Sequence, residues 1–220
     1  ETVAAHTLKK INLPWVASIN PPPADYEYAY PMTATIKATN AAYHLVSDRP
    51  VVVYQFSPLQ YQTTCSGVSG DCFSYSNDAS LLLPSTAMTG NYRIATSFAS
   101  SGTGNYFAIT GTADGTSVTI KAGANVKTLA GGGLAALSAG DTVTFTLDAG
   151  EVIEIVSDPG TPGNPAPDTR ELSGTLVQAD KPVQVVAGDN CMTNPKPNQS
   201  SLDDLLNPPT CDHIEETVMP

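Results

Sequence analysis

The stretch "GTLVQADKPVQVVAG" (residues 174–188) echoes an earlier one, "YHLVSDRPVVVYQF" (residues 43–56). In both, Leu-Val leads through a short polar step to Asp, a basic residue and Pro, and then to a Val-rich run. A Pro between two strand-like runs suits a bend, bulge or edge, because it brings no N–H to a ladder. Asp ahead of it favours a turn, and the Val run has the pattern of a strand buried on one or both faces. Upstream of each copy lies another strand-like run and a Pro-rich excursion: "HTLKKINLP" with "PPPADYEYAYP", and "EVIEIVS" with "DPGTPGNPAPDTR". The shared order predicts two related β modules, at residues 1–100 and 101–220. The first lacks a counterpart of "YFAITGTADGTSVTI…DTVTFTLD", so it is expected to be incomplete at its N-terminal side, with the natural polypeptide continuing upstream of Glu1.

Period-2 apolar runs bounded by turn residues continue along the chain: "TATIKAT", "ASLLLP", "YRIATSF", "YFAITGT", "TSVTIKA", "DTVTFTLDA", "EVIEIVS" and "ELSGTLVQA". Asp114-Gly115 between two of them predicts a hairpin, since a type I′ turn needs positive φ at both central positions. A second hairpin is predicted around residues 148–150. "LAGGGLAALSAG" is expected to be a loop between short strands, and residues 201–207, "SLDDLLN", the one short helix. The expected fold is all-β: two related antiparallel sandwich-like modules with at most one short helix.

Composition agrees. Charged residues make up 14%, while Gly (17) and Pro (18) are abundant, which is turn and strand material rather than helix surface. The net charge is −11 with ten scattered basic residues, so no patch can track a phosphate backbone, and nucleic acid is excluded as a partner. Such acidity suits calcium or a basic partner, or simply a solvated exterior. No apolar run approaches the length of a membrane span. Four cysteines allow three connectivities. The local pairings Cys65–Cys72 and Cys191–Cys211 are favoured, each stapling a loop with no evident core, and they point to an oxidising compartment.

"VSDRPVVVYQFSPL", "SNDASLLLP", "ADGTSVTI", "VQADKPVQVVAGDNC" and "CDHIEETVMP", in this order, resemble the bacterial members of the IgGFc-binding protein N-terminal domain family. The resemblance implies an extracellular, non-enzymatic β domain of large surface or secreted proteins. Immunoglobulin binding belongs to the animal member and is not carried over.

Residues with the look of chemistry are few. In Cys211-Asp212-His213, His213 is a candidate ligand or base. Neighbours on a strand face opposite ways, however, so Asp212 is poorly placed to orient it. His6 and His44 have no spacing partner. The pairs Asp203-Asp204 and Glu215-Glu216 are the acids a glycosidase would need. Asp114, Asp141, Asp148, Asp158 and Asp189 sit beside turn residues and would offer calcium its oxygens, although no EF-hand or nonapeptide pattern is present. Three tyrosines in a Pro-flanked loop, Tyr26, Tyr28 and Tyr30, are a candidate binding surface for protein or glycan. The expectation is therefore a non-catalytic extracellular or cell-surface structural or adhesive domain with no cofactor, calcium being the one candidate. Its partners would be protein, glycan or other parts of a longer polypeptide. The alternatives are a carbohydrate-active hydrolase using acids, or a polymer subunit that exchanges strands.

Overall fold

The computed structural model describes residues 2–14, 16, 18–19, 32–56, 61–64, 71–74, 79–97, 104–161, 164–165, 170–192 and 212–220. Among these the protein is all-β, with antiparallel sheets, no α-helix and a single 3-10 turn at Ser85–Ala87. The predicted helix at 201–207 lies outside the described residues. The first six strands are short: β1 (Ile36–Ala38), β2 (Tyr54–Phe56), β3 (Tyr61–Thr64), β4 (Asp71–Ser74), β5 (Ala79–Leu81) and β6 (Asn91–Arg93). Longer ones follow: β7 (Asn105–Gly111), β8 (Thr116–Lys121), β9 (Thr142–Leu147) and β10 (Val152–Val156). The chain closes with β11 (Gly160–Thr161), β12 (Asn164–Pro165), β13 (Leu176–Ala179), β14 (Val183–Met192) and β15 (Asp212–Thr217).

Two sheets carry the fold. One has the order β1-β10-β7-β14-β15 and the other β6-β13-β8-β9. Alternation sends Phe107, Ile109, Ile153, Ile155, Val183 and Val185 from the first sheet onto Tyr92, Val118, Ile120, Leu147 and Val177 from the second, forming one dry core. Strands from both sides of residue 100 build these sheets: β1 pairs with β10 (Ile36↔Glu154) and β6 with β13 (Tyr92↔Val177).

The two predicted hairpins are not hairpins. β7 pairs with β10 and β14, whereas β8 pairs with β13 and β9. The turn at Asp114-Gly115 therefore carries the chain from one sheet to the other, and the turn at 148–150 carries it back. Positive φ is used at both (Gly115 φ 63°, Gly150 φ 78°). What the turn residues alone do not reveal is that the two corners are stitched together. The Asp114 carboxylate accepts the Ala149 N–H at 3.0 Å, and that of Asp148 accepts the Gly115 N–H at 2.8 Å. Gly111 lies so close beneath that an added Cβ would meet the Asp148 carbonyl oxygen at 2.4 Å.

β10 is buried along its whole length, because its second face is covered too. Ala38, Ala41 and Val152 form a smaller cluster there with Val16, Ile19, Ala42 and Ala108. The N-terminal region is thus a third, thinner layer on the outer face of the five-stranded sheet. The segment "HTLKKINLP", expected as a strand, enters no strand pairing, and of the first Val-rich copy only β2 does. The 158–170 stretch, the second Pro-rich excursion, holds the two-residue pair β11–β12 (Gly160↔Pro165). Residues 130–140 form a loop with isolated bridges.

Candidate functional site

The outer layer meets the five-stranded sheet through a short ribbon, β2 paired with β5 in the register Tyr54↔Leu81, Gln55↔Ser80, Phe56↔Ala79. Side chains alternate across a strand, and here the polarity is reversed. Ser80 is buried against the sheet and Gln55, itself exposed, reaches its edge at Glu215, while Tyr54 (56% exposed), Phe56 (55%) and Leu81 face solvent. The Gln55 amide donates to Glu215 Oε1. Ser80 Oγ accepts the Thr217 N–H at 2.6 Å and lies 3.1 Å from Thr217 Oγ1 and 3.3 Å from Glu216 Oε1. Polar contacts to β15 thus seat the ribbon, and its apolar face is left outward. Tyr43, Leu45, Val46, Val51 and Val52 extend that exposure along the preceding chain. Of the fourteen large exposed apolar residues among the described ones, twelve precede residue 82. The exposure therefore belongs to one region rather than being scattered as on an ordinary surface.

Beneath the ribbon lies a polar cluster. Tyr106 on β7 is buried opposite Gly188 on β14, whose missing side chain makes room for the ring: a Cβ there would lie 2.8 Å from the phenol oxygen. That hydroxyl donates to Glu215 Oε2 at 3.2 Å and lies 2.9 Å from His213 Nε2. With its proton engaged on Glu215, the phenol accepts from the Nε2–H of His213, whose ring stacks on Tyr106 at a centroid distance of 6.3 Å. Burial, then the charges of Glu215 and Glu154, raise the Tyr106 phenol well above its ordinary value. Glu154, only 6% exposed on β10, is pushed up to about 8 by burial and then by Glu215. Burial thus favours its neutral form.

Two carboxyls with one raised pKa are what acid catalysis uses, but substrate needs access. A cavity of about 270 Å³ lies elsewhere, lined by Arg93, Ala95, Ala187 and Glu216 to Met219, and includes neither Glu154 nor Glu215. No group of three or more His, Cys, Asp or Glu able to hold a metal occurs among the described residues.

The turn aspartates are occupied with turn chemistry. Asp114 and Asp148 cap the two corners, and Asp141 accepts the Ser138 N–H at 2.8 Å. Burial pushes the Asp158 carboxyl up, but Lys127 at 2.8 Å, the Gly160 N–H and Arg170 at 3.1 Å outweigh it and hold it below its ordinary value. Asp189 is buried on β14. Tyr26, Tyr28, Tyr30, Asp203, Asp204, Cys65 and Cys211 lie outside the described residues, as do the side chains of Cys72 and Cys191. His6 and His44 are exposed. Sequence reasoning missed Gln55, Ser80, Tyr106 and Glu154. For Glu154 the signal was there: one charge in the middle of the apolar run "VIEIV".

The sequence profile of the family described as IgGFc binding protein matches residues 78–220, more than half of the chain. The chain belongs to that family. The matched residues include β5 to β15, hence the whole four-stranded sheet, four of the five strands of the other, the core and the polar cluster, whereas β1 to β4 precede the match. No curated protein and no solved structure matches the chain. The family is one of binding domains and is not known as enzymatic. Among the described residues, no helix is long and apolar enough to cross a membrane.

Proposed function

We propose that this chain is a non-catalytic extracellular or cell-surface binding domain that engages a protein partner through the apolar outer layer of its N-terminal region. The observation that carries this reading is the reversed polarity of the β2–β5 ribbon, which presents Tyr54 and Phe56 to solvent while Gln55 and Ser80 hold it to β15. Aromatic side chains in an exposed apolar patch supply large contact area at low entropic cost. The local disulfides Cys65–Cys72 and Cys191–Cys211 belong to this reading. Backbone pairing supports them: Cys72 lies on β4, opposite the strand that ends one residue before Cys65, and Cys191 adjoins Met192, which pairs with Asp212.

The test is binding of purified protein ligands, with an immunoglobulin Fc fragment as the first probe, alongside a glycan array. Binding to a protein that Tyr54→Ser/Phe56→Ser weakens at least ~10-fold supports the assignment. Undiminished binding by that double variant, or binding to glycans alone, removes this face.

A second reading, an acid-dependent carbohydrate hydrolase, is favoured by the raised carboxyl of Glu154 beside Glu215. Turnover of a polysaccharide panel that Glu154→Gln and Glu215→Gln each abolish would establish it; absence of turnover by the intact chain dismisses it.

A further inference from the structure

Two pieces of this chain have the makings of strands and are paired as strands only in part, or not at all, among the described residues. One is the run "PVVVYQF", residues 50–56. Its second-copy counterpart, "PVQVVAG", is a central strand with an antiparallel neighbour on each side, β7 and β15. The first copy has one neighbour, β5, over three residues, and Val51 and Val52 stand in solvent. The other piece is residues 7–13, "TLKKINL", where Leu8 (90% exposed), Ile11 and Leu13 stand in solvent and no residue enters a strand pairing among the described residues.

We infer that residues 7–13 of one copy add as an antiparallel strand, in a second copy, to the edge of residues 50–56 that carries no strand among the described residues. The inference rests on the N-terminal layer being the interaction surface, as proposed above, and it names the occupant. Four observations support it. An edge of β-branched residues with open backbone groups is a template for strand addition. The internal duplicate shows that a strand of this sequence accepts a partner on each side. Charge is complementary: Lys9 and Lys10 lie in the donor, and Asp48, Glu215 and Glu216 lie next to or behind the acceptor in a chain of net charge −11. Finally, the donor is anchored beside the acceptor's approach and not on it. The Tyr43 hydroxyl donates to the Pro14 carbonyl at 2.7 Å, and Val16 and Ile19 pack on the cluster with Ala38. Residues 8–13 therefore remain in solvent within one copy.

Proline tests this without harming the monomer, since neither site lies in a ladder there. Sedimentation velocity of the full chain across a concentration series should show reversible association, and Ile11→Pro and Val52→Pro should each leave monomers. An equimolar mixture of the two variants keeps one intact donor and one intact acceptor, and it should give a 1:1 heterodimer. A wild-type chain that stays monomeric, a proline variant that still assembles, or a mixture that stays monomeric overturns the inference. If the monomeric wild type nevertheless binds protein through Tyr54 and Phe56, only the strand exchange has failed and the binding face stands.

Discussion

The first and second copies of the Asp-basic-Pro-Val pattern share eight or so positions and end in opposite environments. In the second copy, Asp180 caps the Ser117 N–H at 2.8 Å, and the Lys181 ammonium reaches the Asp114 and Gly115 carbonyls. The Pro182 carbonyl accepts from Thr112, and β14 then runs between two strands with Val183 and Val185 buried. In the first copy, Ser47 bonds within its own turn, to Arg49, and Val51 and Val52 are exposed. The pattern supplies a turn and a strand-forming run; burial depends on what the rest of the fold brings alongside. For the second copy that is β7 and β15. For the first it is a three-residue neighbour.

The largest effect tests this contrast directly. Val185→Asp places a charge in the dry core and should cost ~5 kcal/mol or more, enough to abolish cooperative unfolding in urea. Val52→Asp, at a site 73% exposed, should move the same curve by less than ~0.5 kcal/mol. Equal losses would mean that the first copy is as buried as the second.

The next effect probes the joint between the N-terminal layer and the five-stranded sheet, where Glu154 pairs with Ile36. Its folded pKa, about 8, lies above the ordinary 4.5, so between these values the folded state holds a proton that the unfolded chain gives up. The stability from this group is complete below about pH 4.5 and is lost as pH rises through 8, a difference of about 5 kcal/mol. Glu154→Gln should flatten that part of the pH–stability curve and leave the protein firmer than wild type at pH 8. An unchanged slope would place Glu154 in contact with water.

A smaller loss is expected for Gly188→Ala. The new Cβ would meet the Ile214 carbonyl oxygen at 2.3 Å and the Tyr106 hydroxyl at 2.8 Å, which costs about 2–3 kcal/mol, read from denaturant midpoints. The corresponding position of the first copy, Phe56, is 55% exposed and should accept Ala at under ~0.5 kcal/mol.

Much of the fold was legible because alternation is local. β7, β8, β9, β13 and the start of β14 each carry their own period-2 pattern, β10 is a short apolar run, and Gly115 and Gly150 mark real turns. Pairing was not legible, because a turn residue reports only the local direction of the chain. Asp114-Gly115 is as good a signal for a corner between sheets as for a hairpin, and the distinction lies in Asp148, thirty-four residues away. The site was hidden for a related reason. Gln55, Ser80, Tyr106, His213 and Glu215 come from four strands, and nothing in their spacing predicts that they meet. The exposure of the first copy was also hidden, since "PVVVYQF" carries more β-forming residues than "PVQVVAG".

The smallest predicted effect separates the turns from the strands they introduce. Asp180 holds a backbone N–H of another strand, so Asp180→Ala should cost about 1 kcal/mol through an orphaned Ser117 donor and a loosened entry to β14. Asp48 has no such partner among the described residues, and Asp48→Ala should be silent within ~0.3 kcal/mol in the isolated chain. If the first copy receives a strand from a second chain, that silence is conditional. Asp48→Ala would then weaken association through the lost attraction to Lys9 and Lys10, and the loss would shrink as salt is added. The same substitution, silent in the monomer and audible in the assembly, would show that the two copies differ in where their partner strands come from rather than in what they are built to do.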